Sequence, residues 1–117
     1  MKRAPARERR DDSRFAVELE ASLAGLAAVT ANVSLGGALV CCDGIDPDQL
    51  ARGLGGASTR LDLWLPGGRH IGIDTTIVHV LSRGHECMVG VAFDGFDDDG
   101  LDVLRGFLRR RAGPGFA

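Results

Sequence analysis

The sequence predicts a mainly β domain: a barrel of short antiparallel strands with one amphipathic helix at its C-terminal end. Three observations carry that expectation. Apolar and polar residues alternate with period two over most of residues 15–93, and turn-forming groups such as Ala24-Gly25, Gly36-Gly37 and Pro66-Gly67-Gly68 interrupt the alternation at short intervals. Only beyond Asp99 does the period lengthen to that of a helix.

The first strand is read from Phe15, Val17, Leu19, Ala21 and Leu23, which alternate with Ala16, Glu18, Glu20 and Ser22. Ala24-Gly25 turns the chain into a second strand, in which Ala27, Val29, Ala31 and Val33 are expected to face inward. Ala28, Thr30, Asn32 and Ser34 then fall on the other face. Gly36-Gly37 ends that pattern before a third strand over Ala38–Cys42. Residues 43–56 are turn-rich, with room for a short helix over Pro47–Leu54 because Pro47 suits a first helical turn. Leu61, Leu63 and Leu65 alternate with Asp62 and Trp64 in a fourth strand, and Pro66-Gly67-Gly68 closes it. In the long fifth strand, Arg69–Leu81, the apolar parity shifts from Ile71, Ile73 and Ile77 to Val78 and Val80, which predicts a bulge. Cys87, Val89, Val91 and Phe93 define a sixth strand. Asp97-Asp98-Asp99 offers an N-cap and acidic first-turn residues for a helix whose stripe is Leu101, Val103, Leu104, Phe107 and Leu108, with Arg109-Arg110-Arg111 at its favourable C-terminal end.

A chain of 117 residues suffices for one domain with its own core. Three parts are expected: a flexible basic arm over 1–14, a barrel with its helix over 15–111, and a disordered tail over 112–117. No apolar run approaches the length of a membrane span, and the polar start lacks a signal core, so a cytoplasmic protein without membrane insertion is expected. The arm carries six Lys or Arg against three acids, or +3, which leaves −5 on the other 103 residues. A basic arm on an acidic body suits a small anionic ligand better than a nucleic-acid polymer. A strand-face reader of single-stranded nucleic acid would also need stacking aromatics, whereas the chain has no Tyr, one Trp and five Phe.

Catalysis is not expected. His70, His79 and His85 stand in no recognisable relation to a nucleophile or to paired carboxylates, and Asp97-Asp98-Asp99 lacks the alternating ligands and distal Glu of a calcium loop. Cys41, Cys42 and Cys87 have no metal-ligand spacing and read as buried or half-buried thiols. No metal and no cofactor are expected.

Two stretches carry binding chemistry. Arg9-Arg10-Asp11-Asp12-Ser13-Arg14 places guanidinium forks, which match phosphate oxygens and the O6/N7 edge of guanine, just before the first strand. Asn32-Val33-Ser34-Leu35-Gly36-Gly37 ends the second strand. With Val33 inward, Asn32 and Ser34 are expected to project together to the outside, and Gly36 and Gly37 to offer uncovered backbone N–H groups to a ligand.

Arg10-Asp11-Asp12-Ser13-Arg14 resembles the RxxxR element, and Asn32-Val33-Ser34-Leu35-Gly36-Gly37 the [DN]xSxxG element, of the PilZ family of cyclic di-GMP receptors. Gly90-Val91-Ala92-Phe93 is similar to the family's closing strand, so the resemblance runs over about residues 9–111. Between Arg14 and Asn32 lie 17 residues, which implies a first hairpin shorter than is usual in the family. The resemblance implies a six-stranded antiparallel split barrel with a C-terminal helix, holding cyclic di-GMP on its outer surface. By position, Arg10 and Arg14 would grip phosphate and guanine edges, with Arg9 as an extra contact. Asn32, Ser34, Gly36 and Gly37 would form the complementary floor. The implied function is a receptor and adaptor that orders its arginine segment on ligand binding and signals to a separate, unidentified protein. The alternative is a PilZ-like protein–protein adaptor that binds no nucleotide.

Overall fold

The computed structural model describes residues 14–43, 58–83 and 86–112. Among the described residues six strands, β1 (Glu20–Leu23), β2 (Leu26–Val33), β3 (Gly37–Asp43), β4 (Ser58–Trp64), β5 (His70–Arg83) and β6 (Glu86–Phe96), precede one helix, α1 (Gly100–Ala112). All pairings are antiparallel, and the order β1-β2-β3-β6-β5-β4 closes on itself into a barrel. Among the described residues closure leaves no sheet edge to be protected. The mainly β expectation therefore holds, with the expected strand count. The segment expected to be turn-rich, with its short helix over Pro47–Leu54, lies outside the described residues apart from Asp43, which ends β3.

The interior is filled by the alternating sets that period two selects. Leu61, Leu63, Ile71, Ile73, Ile77, Val89 and Val91 are buried together with Cys42 and Cys87, which stand opposite each other on β3 and β6. Cys41 is half-buried on the outer face, so the three thiols fall as expected. The β1–β2 hairpin turns through Ala24 (φ 53°) and Gly25 (φ 84°), the two positive angles that suit the twist of a two-residue hairpin. Gly67 (φ 96°) and Gly68 (φ 90°) do the same work between β4 and β5, as Pro66-Gly67-Gly68 foretells.

The parity shift in β5 is a real bulge. Ile77 pairs with Val91 and His79 with Gly90, so Val78 is the extra residue; it is turned outward, while Val80 returns to the core.

The first two strands depart from expectation. The ladder of β1 starts at Glu20 rather than Phe15, and Phe15 is held by an isolated bridge in which its N–H donates to Val33 O (2.9 Å) and Val33 N–H donates to Phe15 O (3.0 Å). In β2, Thr30 pairs with Val40 and Asn32 with Leu39, so Ala31 is bulged. The inward residues are consequently Ala28, Thr30 and Val33, not Ala27, Val29 and Ala31; Val29 is outward. The reason is the Thr30 hydroxyl. It accepts from Leu19 N–H (2.8 Å) and donates to Val17 O (2.6 Å), satisfying inside the barrel the backbone groups that a longer β1 would have paired in a ladder.

Helix α1 packs against the barrel and adds Leu104 and Leu108 to its core. Leu104 and Leu108 are fully buried, each worth roughly 1.5–3 kcal/mol of transfer free energy. Val103 and Phe107 pack at the margin, whereas Leu101, expected in the stripe, is exposed. Asp99 opens the helix, its carbonyl accepting from Val103 N–H (3.0 Å), and Asp98 adopts φ 50° just before it. The helix runs through Ala112, one residue beyond the expected boundary.

Asp97 has a different task from helix capping. It is bound in a two-toothed ion pair by Arg60, which also reaches Asp74 (3.1 Å). The Arg60 hydrogen bond holds the Asp97 carboxyl below the usual carboxylate range, with partial desolvation opposing and the Arg60 charge assisting. A depressed folded-state pKa means the pair's contribution is complete above the unfolded carboxylate pKa and disappears as pH falls through the folded one. The melting temperature of Asp97→Asn should therefore lie below that of wild type near neutrality, and the gap should close as pH falls below the ordinary carboxylate range. A gap independent of pH in thermal melts would contradict this assignment. The pair is solvent-exposed, so the gap itself is expected to be small.

Candidate ligand-binding site

The Phe15–Val33 bridge fixes where the arm meets the barrel and sets Arg14 beside the end of β2. From there Arg14 Nη1 donates to Asn32 Oδ1 at 3.0 Å, so the two expected motifs meet in space across 18 positions of sequence. Arg9 and Arg10 lie outside the described residues.

Asn32 begins a row of outward positions that crosses four strands. It pairs with Leu39 on β3, Leu39 with Gly90 on β6, and Gly90 with His79 on β5. At the usual strand spacing this row spans about 14 Å. Its centre holds the half-buried Leu39 and Gly90, and the His79 ring lies over Gly90. Arg14, Asn32, Leu39, Val78, His79 and Gly90 are among the residues lining a cleft of about 230 Å³. The arrangement has a guanidinium and an amide at one end, Leu39 next to them, and the His79 imidazole lying over Gly90. Such a face suits a planar, hydrogen-bonding, anionic ligand.

Sequence reading singled out neither Leu39 nor Gly90 for this site, and it did not single out His79. Its ring lies against Gly90, where any Cβ would overlap it. The only signal in the sequence is the pairing of a strand histidine with a strand glycine, and that needs the register of β5 against β6. One row further along, Val29, Cys41, Met88 and Leu81 continue the same outer face in apolar side chains.

The expected exposure of Ser34 beside Asn32 is corrected. Ser34 is fully buried, and its Oγ accepts from Gly36 N–H (3.2 Å) and Gly37 N–H (3.0 Å) and donates to Gly37 O (3.1 Å). The hydroxyl thus ties the β2–β3 turn from within. The N–H groups of Gly36 and Gly37, expected to be uncovered, are taken by Ser34. Gly37 lacks a side chain for a packing reason: a Cβ there would run into the Val91 carbonyl oxygen on β6. Gly36 is exposed at the turn, and its carbonyl accepts from Phe93 N–H (2.8 Å).

Among the described residues no group of three or more His, Cys, Asp or Glu side chains is placed to hold a metal ion, and no helix is long and apolar enough to cross a membrane.

The chain thus combines a closed six-stranded antiparallel barrel and a C-terminal helix with an arginine just before its first strand and a polar–glycine turn after its second. The chain belongs to the PilZ domain family, whose model matches residues 4–110. Its fold is similar to that of the solved inhibitor of motility of Bacillus subtilis (MotI/DgrA), with a TM-score of 0.72 at 19% sequence identity. The alignment covers 91% of this chain and 52% of that one, so the chain spans about half of that protein's length. At this identity the likeness concerns the fold. No curated protein matches the chain.

Proposed function

We propose that this PilZ domain is a cytoplasmic receptor for cyclic di-GMP that performs no chemistry and relays occupancy to a separate protein. The observation that carries the reading is the Arg14–Asn32 contact, which joins Arg14 of the RxxxR element to Asn32 of the [DN]xSxxG element on an outer face of the barrel. The ligand offers two phosphate charges and two guanine bases. Arg10 and Arg14, with Arg9 beside them, grip phosphate and guanine edges; Asn32 and Gly36 meet the base; and Leu39 with the His79 ring, which lies over Gly90, forms the floor. Ser34 and Gly37 act indirectly, by holding the turn in shape.

Arm residues 1–14 carry little apolar content and order around the ligand at a cost of roughly 1–2 kcal/mol per residue. Charge-assisted hydrogen bonds at about 1.5–3 kcal/mol each offset this only when several form together. The signal is then a new surface of arm plus ligand, which a partner reads.

The footprint of the ligand tests the site. Adding cyclic di-GMP should shift the backbone amide resonances of Asn32, Leu39, His79 and Gly90 and leave those of Leu104 and Leu108 in α1 unmoved. Shifts concentrated elsewhere would contradict the placement.

A further inference from the structure

We propose that the cleft between the β4–β5 turn and α1 docks an acidic, hydrophobically anchored segment of a partner protein. The cleft holds about 460 Å³; Leu65, Pro66, Val103 and Phe107 form its floor, and Arg69, Arg110 and Arg111 its rim. Val103 and Phe107 stand one helical turn apart, so the floor is a continuous strip along α1. Arg69 already holds Asp99 (3.1 Å), while Arg110 and Arg111 have no ion pair among the described residues.

Cations at a helix C-terminus complement the helix dipole, which accounts for their presence there. It does not account for an apolar floor between them that opens to solvent. Charge selects the occupant. The chain beyond its first 14 residues sums to −5, yet this cleft gathers three guanidinium groups over apolar surface. Aspartate or glutamate side chains meet such forks bidentately, and a Leu or Phe beside them fills the floor as an anchor. A basic segment is repelled. The cleft shares no lining residue with the Asn32–His79 row, so the two sites do not compete for the same side chains.

The intact protein serves as bait in a selection from a display library of random helical peptides, beside the variants R110E/R111E and R109E. Arg109 is exposed on the same helix end but does not line the cleft, so its reversal controls for overall charge. Enriched peptides should combine Asp or Glu with Leu or Phe, bind R110E/R111E at least about tenfold more weakly, and bind R109E within about twofold of wild type. Enrichment of peptides lacking acids, equal binding to R110E/R111E, an equal loss in R109E, or no enrichment at all would overturn the proposal. Phosphatidylglycerol vesicles form a parallel arm, in which no Arg110- and Arg111-dependent binding is expected. Vesicle binding lost in R110E/R111E, without acidic peptide enrichment, would assign the cleft to a lipid surface instead.

Discussion

Alanine at position 14 lowers the affinity for cyclic di-GMP by at least about a hundredfold. Arg14 already lies at hydrogen-bond distance from Asn32, 3.0 Å, and so enters the complex with less freedom left to lose. Losing two charge-assisted bonds from its fork removes about 3 kcal/mol or more, and each 1.4 kcal/mol is about tenfold in affinity. Arg14→Lys keeps the charge but not the planar fork and should recover only part of the loss. The side chain is exposed, so the fold survives either change, and calorimetry reads the effect directly. Affinity within about threefold of wild type in Arg14→Ala would remove this residue from the grip.

Thr30→Val produces the largest loss of stability. Valine keeps the shape but neither bond, leaving Leu19 N–H and Val17 C=O without the hydroxyl that satisfies them inside the barrel. An orphaned buried polar group costs about 1–3 kcal/mol, so a loss of about 2–5 kcal/mol is expected in denaturant titrations. Thr30→Ser, which keeps the hydroxyl, should lose much less. A Thr30→Val protein as stable as wild type would mean that β1 re-pairs with β2 in a regular ladder, undoing the bulge at Ala31.

That bulge also marks where the sequence stops being legible. In β4, Leu61 and Leu63 alternate with polar residues, and in β5 the step from Ile77 to Val80 announces its own bulge; both were readable because each strand has a distinct oily face. β2 reads Leu-Ala-Ala-Val-Thr-Ala-Asn-Val, apolar on both faces, so no parity betrays the extra residue, and the buried threonine looks like a surface one. Ser34 misled for a related reason. A small hydroxyl is comfortable in a core when its own turn supplies every partner, and local sequence does not distinguish that from exposure. The motifs that meet at Arg14 and Asn32 were visible because each is contiguous. The rest of the row was not, since Leu39, Gly90 and His79 come together only through the register of three strands.

The central claim is that this face of the barrel receives cyclic di-GMP, and calorimetric titration of the purified protein tests it most directly. Cyclic di-GMP should bind with measurable heat, while GMP and cyclic AMP at equal concentrations should not. Absence of binding by a folded wild-type protein would contradict the receptor reading and leave an adaptor that works without nucleotide.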